Sequence, residues 1–378
     1  MKKNLFSGPN SKIRHAVIVL LIFTLLFLSD NSVIFASDSP LPVGSAKDLS
    51  NDINKMVELI NINSPASYNY FIKVTKECYP NARIKVTKEE FLKFITLSRK
   101  ENLTSADRQF MNFVINKLKT SYYGKKSPAL ILLCKEELNS VIKKDTLDLM
   151  KNQHCSYDKA REKALNAVVS SNPKLAKELG INANVKISST PQSREEAFLY
   201  AQPHDVASVL SNWGDLFLYS IWTSHDGWIK KIVFTSDRHG VRYLNIYEAL
   251  PNGGNIDSRD RYPNNPRGAY DSWIKNSMHV YVQRYPDYSL AQRAYNASVY
   301  MYYGKPYNWI IPNKYDPNRS YCSQNVWAGF WAYGVNLDSN LDIPMLYVTH
   351  PWAVSIEETG VLPDSIYLSP HLELVSSG

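Results

Sequence analysis

The spacing of apolar residues along the chain changes near residue 200. Between about residues 50 and 185, apolar side chains recur every three or four positions, which is the period of one face of an α-helix. Thr87 followed by Glu90 is a capping-box pattern and predicts a helix that begins just after Thr87. Pro173 predicts the start of a short helix that Gly180 ends. This part of the chain is therefore predicted to be mainly helical.

After Pro203 the pattern changes to short segments of β-branched and aromatic residues that are separated by turn residues. Residues 255–270 have the composition of a long loop, and two helices follow at 290–304 and 322–334, each ended by a glycine. Strands followed by helices predict an α+β domain. The segments predicted to be strands cover residues 214–222, 227–234, 243–250 and 278–285.

The N-terminus has the pattern of a secretory signal peptide. Basic residues up to Arg14 precede an apolar run from Ala16 to Leu28, and a stretch ending in a small residue follows, up to Ala36. The run is shorter than the roughly 20 apolar residues of a membrane-spanning helix, and an uncleaved anchor is the alternative. We expect cleavage after Ala36, a secreted or cell-envelope location, and contact with the membrane through this sequence alone.

Composition divides the mature chain into two parts. Residues 37–200 hold 26 basic and 18 acidic residues, whereas residues 201–378 hold 13 basic and 16 acidic residues and all eight tryptophans. We therefore predict a signal peptide at 1–36, a basic helical accessory domain at 37–200 and an α+β domain at 201–378. The alternatives for the basic domain are a spacer and a surface that attracts anionic cell-envelope polymers by its charge.

Four cysteines are too few for a disulfide scaffold. Any two of Cys78, Cys134 and Cys155 can pair, and the sequence does not choose among these pairings. Cys322 is alone in its half of the chain and falls at the predicted N-terminus of a helix. Free backbone amides and the helix dipole stabilise a thiolate there, which is the nucleophilic form of the side chain. Cys322 is therefore the candidate nucleophile.

Several short motifs accompany Cys322. Gly214-Asp215 opens the first predicted strand, His225 lies in SHDGWI, Glu248 lies in YEA, and Cys322 lies in YCSQNVW. In this order the motifs resemble those of the permuted papain-like cysteine hydrolases of the YiiX and YycO type, which are circularly permuted relatives of the NlpC-like cell-wall peptidases. The resemblance covers the C-terminal half of the chain only.

The resemblance implies a circularly permuted papain-like fold and a role for each motif residue. Cys322 would attack a carbonyl carbon, His225 would act as its base, and Glu248 would accept a hydrogen bond from the other ring nitrogen. Tyr321 would help the backbone amide of Cys322 to form the oxyanion site. No cofactor is implied.

This sequence departs from the family pattern at two positions. Asp226 follows the histidine where the family has a small apolar residue, and Gln324 replaces a glutamate after the nucleophile. His239 and His279 are alternative partners for the thiol, although only His225 fits the spacing of histidine, strand and YEA together.

Other classes of function find little support in the sequence. The cysteines and histidines show none of the spacings typical of zinc sites, and no phosphate-binding glycine loop is present, so we expect neither a metal nor a nucleotide cofactor. No nucleic-acid-binding module is recognisable, so nucleic acid is not expected as a partner. The aromatic residues of the second half are either core residues or the lining of a cleft for sugar rings.

The sequence thus predicts an exported cysteine hydrolase of the amidase or peptidase type. The expected substrate is a peptide or a peptidoglycan-like molecule with an amide or ester bond. The alternative is a catalytically inactive envelope- or glycan-binding protein with a papain-like fold, which presents an aromatic groove and in which Cys322 is incidental. Separately, the alternative for Glu248 is an ordinary carboxylate at the end of a strand.

Overall fold

The computed structural model describes residues 43–171, 173–181, 191–209, 225–251, 253–275, 279–310, 312–339 and 342–378. Residues 41–378 form one compact unit. The predicted signal peptide, the Gly214-Asp215 motif and the first predicted strand, residues 214–222, lie outside the described residues. Across the parts of the chain that are described, none of the helices is long and apolar enough to cross a membrane.

The described chain before residue 200 is helical, as the apolar period predicts. At the start of α3 the predicted capping box is present: the Thr87 hydroxyl accepts the Glu90 N–H at 3.3 Å, and the Glu90 carboxylate accepts the Thr87 N–H at 2.9 Å. Gly180, with a φ of +72°, follows α7. The helices are α1 (Val43–Asn61), α2 (Ser67–Cys78), α3 (Lys88–Ser98), α4 (Ser105–Lys119), α5 (Pro128–Gln153), α6 (Tyr157–Ser171), α7 (Pro173–Glu178) and α8 (Pro191–Phe198).

The described strands form one antiparallel sheet in the order β4-β3-β2-β1-β5-β6. Three of the predicted strands are confirmed as β2, β3 and β5. The strands are β1 (Val206–Val209), β2 (His225–Phe234), β3 (Val241–Leu250), β4 (Gly254–Asp257), β5 (Val280–Arg284) and β6 (Glu373–Ser377).

The loop predicted over residues 255–270 is wrong in its first part. Asn255 pairs with Ala249 in the β3–β4 ladder, and a short helix, α9 (Ser258–Arg261), follows. The polar composition that suggests a loop includes a buried polar residue of a strand, Asn255. The Asn255 side chain is fully buried and finds hydrogen-bond partners that are distant in sequence.

Two helices follow the sheet strands near the predicted positions. They are α10 (Tyr288–Tyr302) and α11 (Cys322–Trp331), which precede Gly304 (φ +75°) and Gly334 (φ +78°) respectively. Helix α11 packs against the sheet, and Trp228 of β2 stacks on Phe330 with 5.1 Å between the ring centroids. The remaining helices are α12 (Asp342–Thr349), a 3₁₀ turn (Pro351–Ala353), α13 (Val354–Glu357) and α14 (Pro363–Tyr367).

The helices before residue 200 share a core with the C-terminal half. One cluster of buried apolar residues includes both Phe71 of α2 and Trp228 of β2. The Tyr367 hydroxyl donates to the Asp145 carboxylate of α5 at 2.5 Å. These contacts belong to one compact unit, so the structure contains the predicted helices, and the boundary at residue 200 stays a prediction.

Candidate active site

Cys322 is the first residue of α11, as the sequence predicted, and its side chain is buried. The preceding residue, Tyr321, is extended (φ −98°, ψ 175°), so the chain turns into the helix at the thiol. The first amide groups of a helix have no acceptor within the helix, and the helix dipole is positive at this end. The position therefore suits a thiolate and, during a reaction, an oxyanion.

The β2–β3 ladder brings Glu248 to His225. Glu248 lies opposite Gly227, and its Oε2 is 2.7 Å from Nε2 of His225. The His225 imidazole also forms a hydrogen bond with the Cys322 side chain. Because Glu248 holds Nε2, the bond to Cys322 is made by the other ring nitrogen, Nδ1. One imidazole thus connects the candidate nucleophile to a carboxylate that is only 2 % exposed.

Gly227 has no side chain, and the space beside the His225–Glu248 pair is filled by neighbouring side chains. A Cβ atom at this position would lie 2.5 Å from Cγ2 of Ile246 and 3.2 Å from Cζ2 of Trp273. It would also meet Cβ of Glu248 at 3.4 Å. The glycine in SHDGWI is therefore required by close packing beside the site.

Trp273 is a site residue that the sequence analysis missed. It lies in a π-helical turn (Asp271–Lys275), and its indole N–H donates to Oε2 of Glu248 at 3.0 Å. Its ring centroid is 5.4 Å from that of His225. Trp273 thus holds the oxygen that His225 uses and covers one side of the imidazole. No motif or period in the surrounding sequence points to this contact.

The charge of His225 depends on its two partners. Burial by itself lowers the pKa of an imidazole. The contacts with Cys322 and Glu248 outweigh burial and raise the pKa of His225 from 6.5 to about 10. His225 is therefore protonated at neutral pH, and an imidazolium hydrogen-bonded to a thiol favours the thiolate.

Tyr321 is buried beside the nucleophile, and its hydroxyl accepts the backbone N–H of Val361 at 2.9 Å. This bond holds Tyr321 against the segment that follows α13. Its hydroxyl proton is not used by that bond and can still be donated. The role of Tyr321 in an oxyanion site stays a prediction.

Gln324 shapes the loop that leads to Cys322. Its side-chain oxygen accepts the Tyr321 N–H at 3.3 Å and an N–H of the Asn308 side chain at 3.2 Å. Its side-chain nitrogen donates to three backbone carbonyls of the loop. These belong to Lys314 (3.0 Å), Asp316 (3.2 Å) and Arg319 (3.3 Å).

Asn255 anchors the same loop from the sheet. Its side-chain oxygen accepts hydrogen bonds from the Ser320 hydroxyl and, at 2.8 Å, from the Asn325 side chain. Its side-chain nitrogen donates to the carbonyl of Lys305 at 3.1 Å. The residues on both sides of Cys322 are thus fixed to β4.

The two alternative histidines lie in other surroundings. His239 is 86 % exposed, and its Nδ1 is 3.6 Å from Asp237 at the surface. His279 packs edge-on against Tyr281, with 4.8 Å between the ring centroids. Burial and the charge of Arg194 lower the pKa of His279 to about 4. Of the three candidate histidines, His225 is the one that contacts both Cys322 and Glu248.

All four cysteines are free thiols, including Cys78, Cys134 and Cys155. Over the described residues, no group of three or more histidine, cysteine, aspartate and glutamate side chains is arranged to hold a metal ion.

A cavity of about 220 Å³ borders the loop that precedes Cys322. Asn308, which is bonded to Gln324, lines it on one side, and the α3–α4 connection lines it on the other. Charged side chains of both signs also line the cavity. They are Glu101, Arg108, Asp316 and Arg319.

Comparison with known proteins finds one family match within the C-terminal half. Residues 269–376 match the family model of the permuted papain-like amidase enzymes, YaeF/YiiX, C92 family. The matched segment contains Trp273 and Cys322, whereas His225 and Glu248 precede it. No curated protein and no solved structure matches the chain. Residues 269–376 are therefore similar to the YaeF/YiiX, C92 family of permuted papain-like amidases, an enzyme family of the cysteine peptidase type.

Proposed function

We propose that this protein is an exported cysteine hydrolase of the amidase or peptidase type, with Cys322 as its nucleophile. The observation that carries the proposal is the position of the His225 imidazole, which contacts Cys322 through one nitrogen and Glu248 through the other. A nucleophile, a base and a residue that orients the base are the parts that nucleophilic catalysis requires.

The reaction begins with attack of the Cys322 thiolate on the carbonyl carbon of an amide or ester. Negative charge develops on the carbonyl oxygen, and the backbone N–H of Cys322 at the start of α11 can donate to it. His225, which is protonated, gives its proton to the departing amine or alcohol, and a thioester remains on Cys322. His225 then removes a proton from water, and the hydroxide formed in that step attacks the thioester. The acid leaves, and the thiolate–imidazolium pair is restored.

Glu248 and Trp273 act on this reaction through His225. Glu248 fixes the ring orientation and stabilises its positive charge, while Trp273 holds the same carboxylate oxygen at 3.0 Å. The Trp273 contact is buried, and Glu248 is only 2 % exposed, so water competes little for this carboxylate.

Cell-wall peptides are the proposed substrates. Two considerations support this class: the family resemblance to relatives of cell-wall peptidases, and the predicted export. The charged lining of the cavity beside the Cys322 loop also suits a peptide with charged groups better than an apolar ligand.

The test is the rate at which iodoacetamide alkylates Cys322, followed from acid to alkaline pH by peptide mass spectrometry. In the mature protein we expect rapid labelling well below the pH at which an ordinary thiol ionises. His225→Ala removes this reactivity, because the imidazolium partner is lost. His239→Ala is the matched control and leaves the reactivity unchanged, because His239 is exposed and lies with Asp237.

Peptidoglycan fragments then test the substrate class, with newly released amino groups measured by mass spectrometry. If Cys322 reacts as an ordinary thiol in all three proteins, the hydrolase proposal is wrong and the envelope-binding alternative takes its place. If Cys322 is reactive and no fragment is cleaved, only the substrate class is wrong.

A further inference from the structure

Asp226 is a buried carboxyl group that the proposed reaction leaves unused. It follows His225 directly in β2, and its side chain has no exposed surface. Among the described residues, neither of its oxygens has a well-formed hydrogen bond. Its neighbour across the β1–β2 ladder is Ser208, whose hydroxyl is equally buried and offers the carboxyl a weak hydrogen bond. A buried carboxyl with so few partners is costly, so it calls for an explanation.

The direction of Asp226 follows from the alternation of side chains along β2. Trp228, two residues later, faces α11 and stacks on Phe330. A side chain at Gly227 would instead point to Glu248 and Trp273 on the opposite face. Asp226 therefore lies on the face that α11 covers, and the two carboxyl groups near His225 lie on opposite faces of the sheet.

Asp226 exchanges its proton in the neutral range. Burial raises the pKa of this carboxyl to about 7, and the Ser208 hydroxyl and the charge of His225 offset burial only in part. Below neutral pH the group is therefore uncharged. As the pH rises, it becomes a second negative charge near the imidazole.

Among the titratable groups on the neighbouring elements, His225 is the group on which the negative charge of Asp226 acts. Tyr281 of β5 lies opposite Ser208, and burial raises its pKa well above the usual range, so it stays neutral. Cys322 begins the helix that covers this face, and Glu248 lies on the other face. Of these side chains, only His225 carries positive charge, and a nearby carboxylate favours that charged form.

We propose that Asp226 is a positioning residue that keeps His225 protonated as the pH rises above neutral. It acts through charge from the α11 side of the sheet, whereas Glu248 acts through a hydrogen bond to Nε2. The inference rests on the proposed function, because it concerns the same His225–Cys322 pair. It would widen the pH range over which the thiolate–imidazolium pair exists.

The experiment is an NMR titration of the His225 ring proton in the mature protein and in Asp226→Asn. The His225 signal is assigned from its absence in His225→Asn. We expect the pKa of His225 to fall by about one unit in Asp226→Asn, since a nearby charge shifts a pKa by roughly 1 to 3 units. Asp226→Glu should retain most of the wild-type value. Alkylation of Cys322 below about pH 6 should not change, because Asp226 is already protonated there in the wild type.

Asp237→Asn is the matched control, because it removes the same charge from an exposed carboxyl beside His239. Asp237→Asn should leave the pKa of His225 unchanged. An unchanged titration in folded Asp226→Asn overturns the inference, and so does a loss of thermal stability without a shift in the titration.

The experiment also distinguishes a variant that fails to fold from a failure of the proposed reaction. If Asp226→Asn does not fold, Asp226→Ala replaces it: this smaller side chain also removes the charge, so His225 should lose its proton at lower pH than in the wild type. No change in Asp226→Ala then overturns the inference. If Cys322 proves to be an ordinary thiol, the proposed reaction fails, and the His225 titration still decides whether Asp226 controls the charge of the imidazole.

Discussion

In the candidate site, His225 connects the nucleophile Cys322 to Glu248 and Trp273. Its imidazole contacts Cys322, Glu248 and the ring of Trp273; burial lowers its pKa, and the first two contacts outweigh burial and raise it to about 10. Removing charge from one partner should therefore change both the stability of the protein and the reactivity of the thiol.

Glu248→Gln tests this through the dependence of stability on pH. Because the pKa of His225 is raised on folding, its protonated form contributes stability that is complete below pH 6.5 and is lost as the pH rises through about 10. Between these limits the free energy of unfolding should fall by at most about 1.4 kcal/mol per pH unit from this group. The slope should be smaller in Glu248→Gln, as measured by urea unfolding at a series of pH values.

Glu58→Gln is the control for this comparison, because Glu58 is exposed and pairs with Lys55 in α1, away from His225 in sequence. It should keep the wild-type slope. Equal slopes in the wild type and in Glu248→Gln would show that the carboxylate does not stabilise the imidazolium. Cys322 alkylation near neutral pH should also slow in Glu248→Gln.

At the residue scale, the sequence could predict the site residues that lie in motifs and few others. His225 and Glu248 lie in motifs, and the structure brings His225 to Cys322 and Glu248 to His225. Trp273 has no such motif, because its contact depends on a π-helical turn meeting β3 from across the chain. Asp226 was visible as a departure from the family, but only the fold shows that it is buried.

The loop before α11 is the element that presents Cys322. Its shape depends on the Gln324 amide, whose nitrogen donates to three loop carbonyls and whose oxygen accepts two N–H groups. In the sequence, Gln324 differs from the family pattern only in that it replaces a glutamate after the nucleophile. The structure shows that the amide is needed as a donor, which a glutamate cannot be at neutral pH.

Gln324→Glu should therefore destabilise the protein. The substitution leaves three loop carbonyls without their donor, of which that of Lys314 is buried, and places a carboxylate against them, at a cost of about 2 to 4 kcal/mol. Urea or thermal unfolding measures this loss, and Cys322 alkylation should slow because the loop no longer holds the start of α11.

Gln109→Glu is the matched control, since Gln109 is exposed on α4. Its stability should stay within about 0.5 kcal/mol of the wild type. A Gln324→Glu protein as stable as this control would mean that the loop does not depend on the amide donor.

At the scale of the whole molecule, the helices before residue 200 and the C-terminal half bury a common core. The bond from Tyr367 to Asp145 joins residues that are 222 positions apart. We therefore expect the mature chain to unfold in one cooperative transition, although its composition changes near residue 200.

Differential scanning calorimetry of the mature chain tests this. One peak is expected, with a calorimetric enthalpy equal to the van't Hoff enthalpy. Two separate peaks, or a proteolytic fragment from about residue 201 onward that keeps its structure, would favour the predicted boundary between two domains.

The sequence by itself determined the features that depend on neighbouring residues. Apolar period, caps and glycine stops placed α3, α10 and α11 and located Cys322 at a helix start, because these signals act within a few residues. The order of the motifs predicted the family whose model matches residues 269–376. Only the tertiary structure decided that Asn255 belongs to a strand, that Trp273 holds Glu248, and that Asp226 is buried beside the imidazole. Each of these depends on contacts beyond the few residues that local signals cover, such as the 25 positions between Trp273 and Glu248 and the 70 between Asn255 and Asn325. Packing of the whole unit sets the positions of these partners.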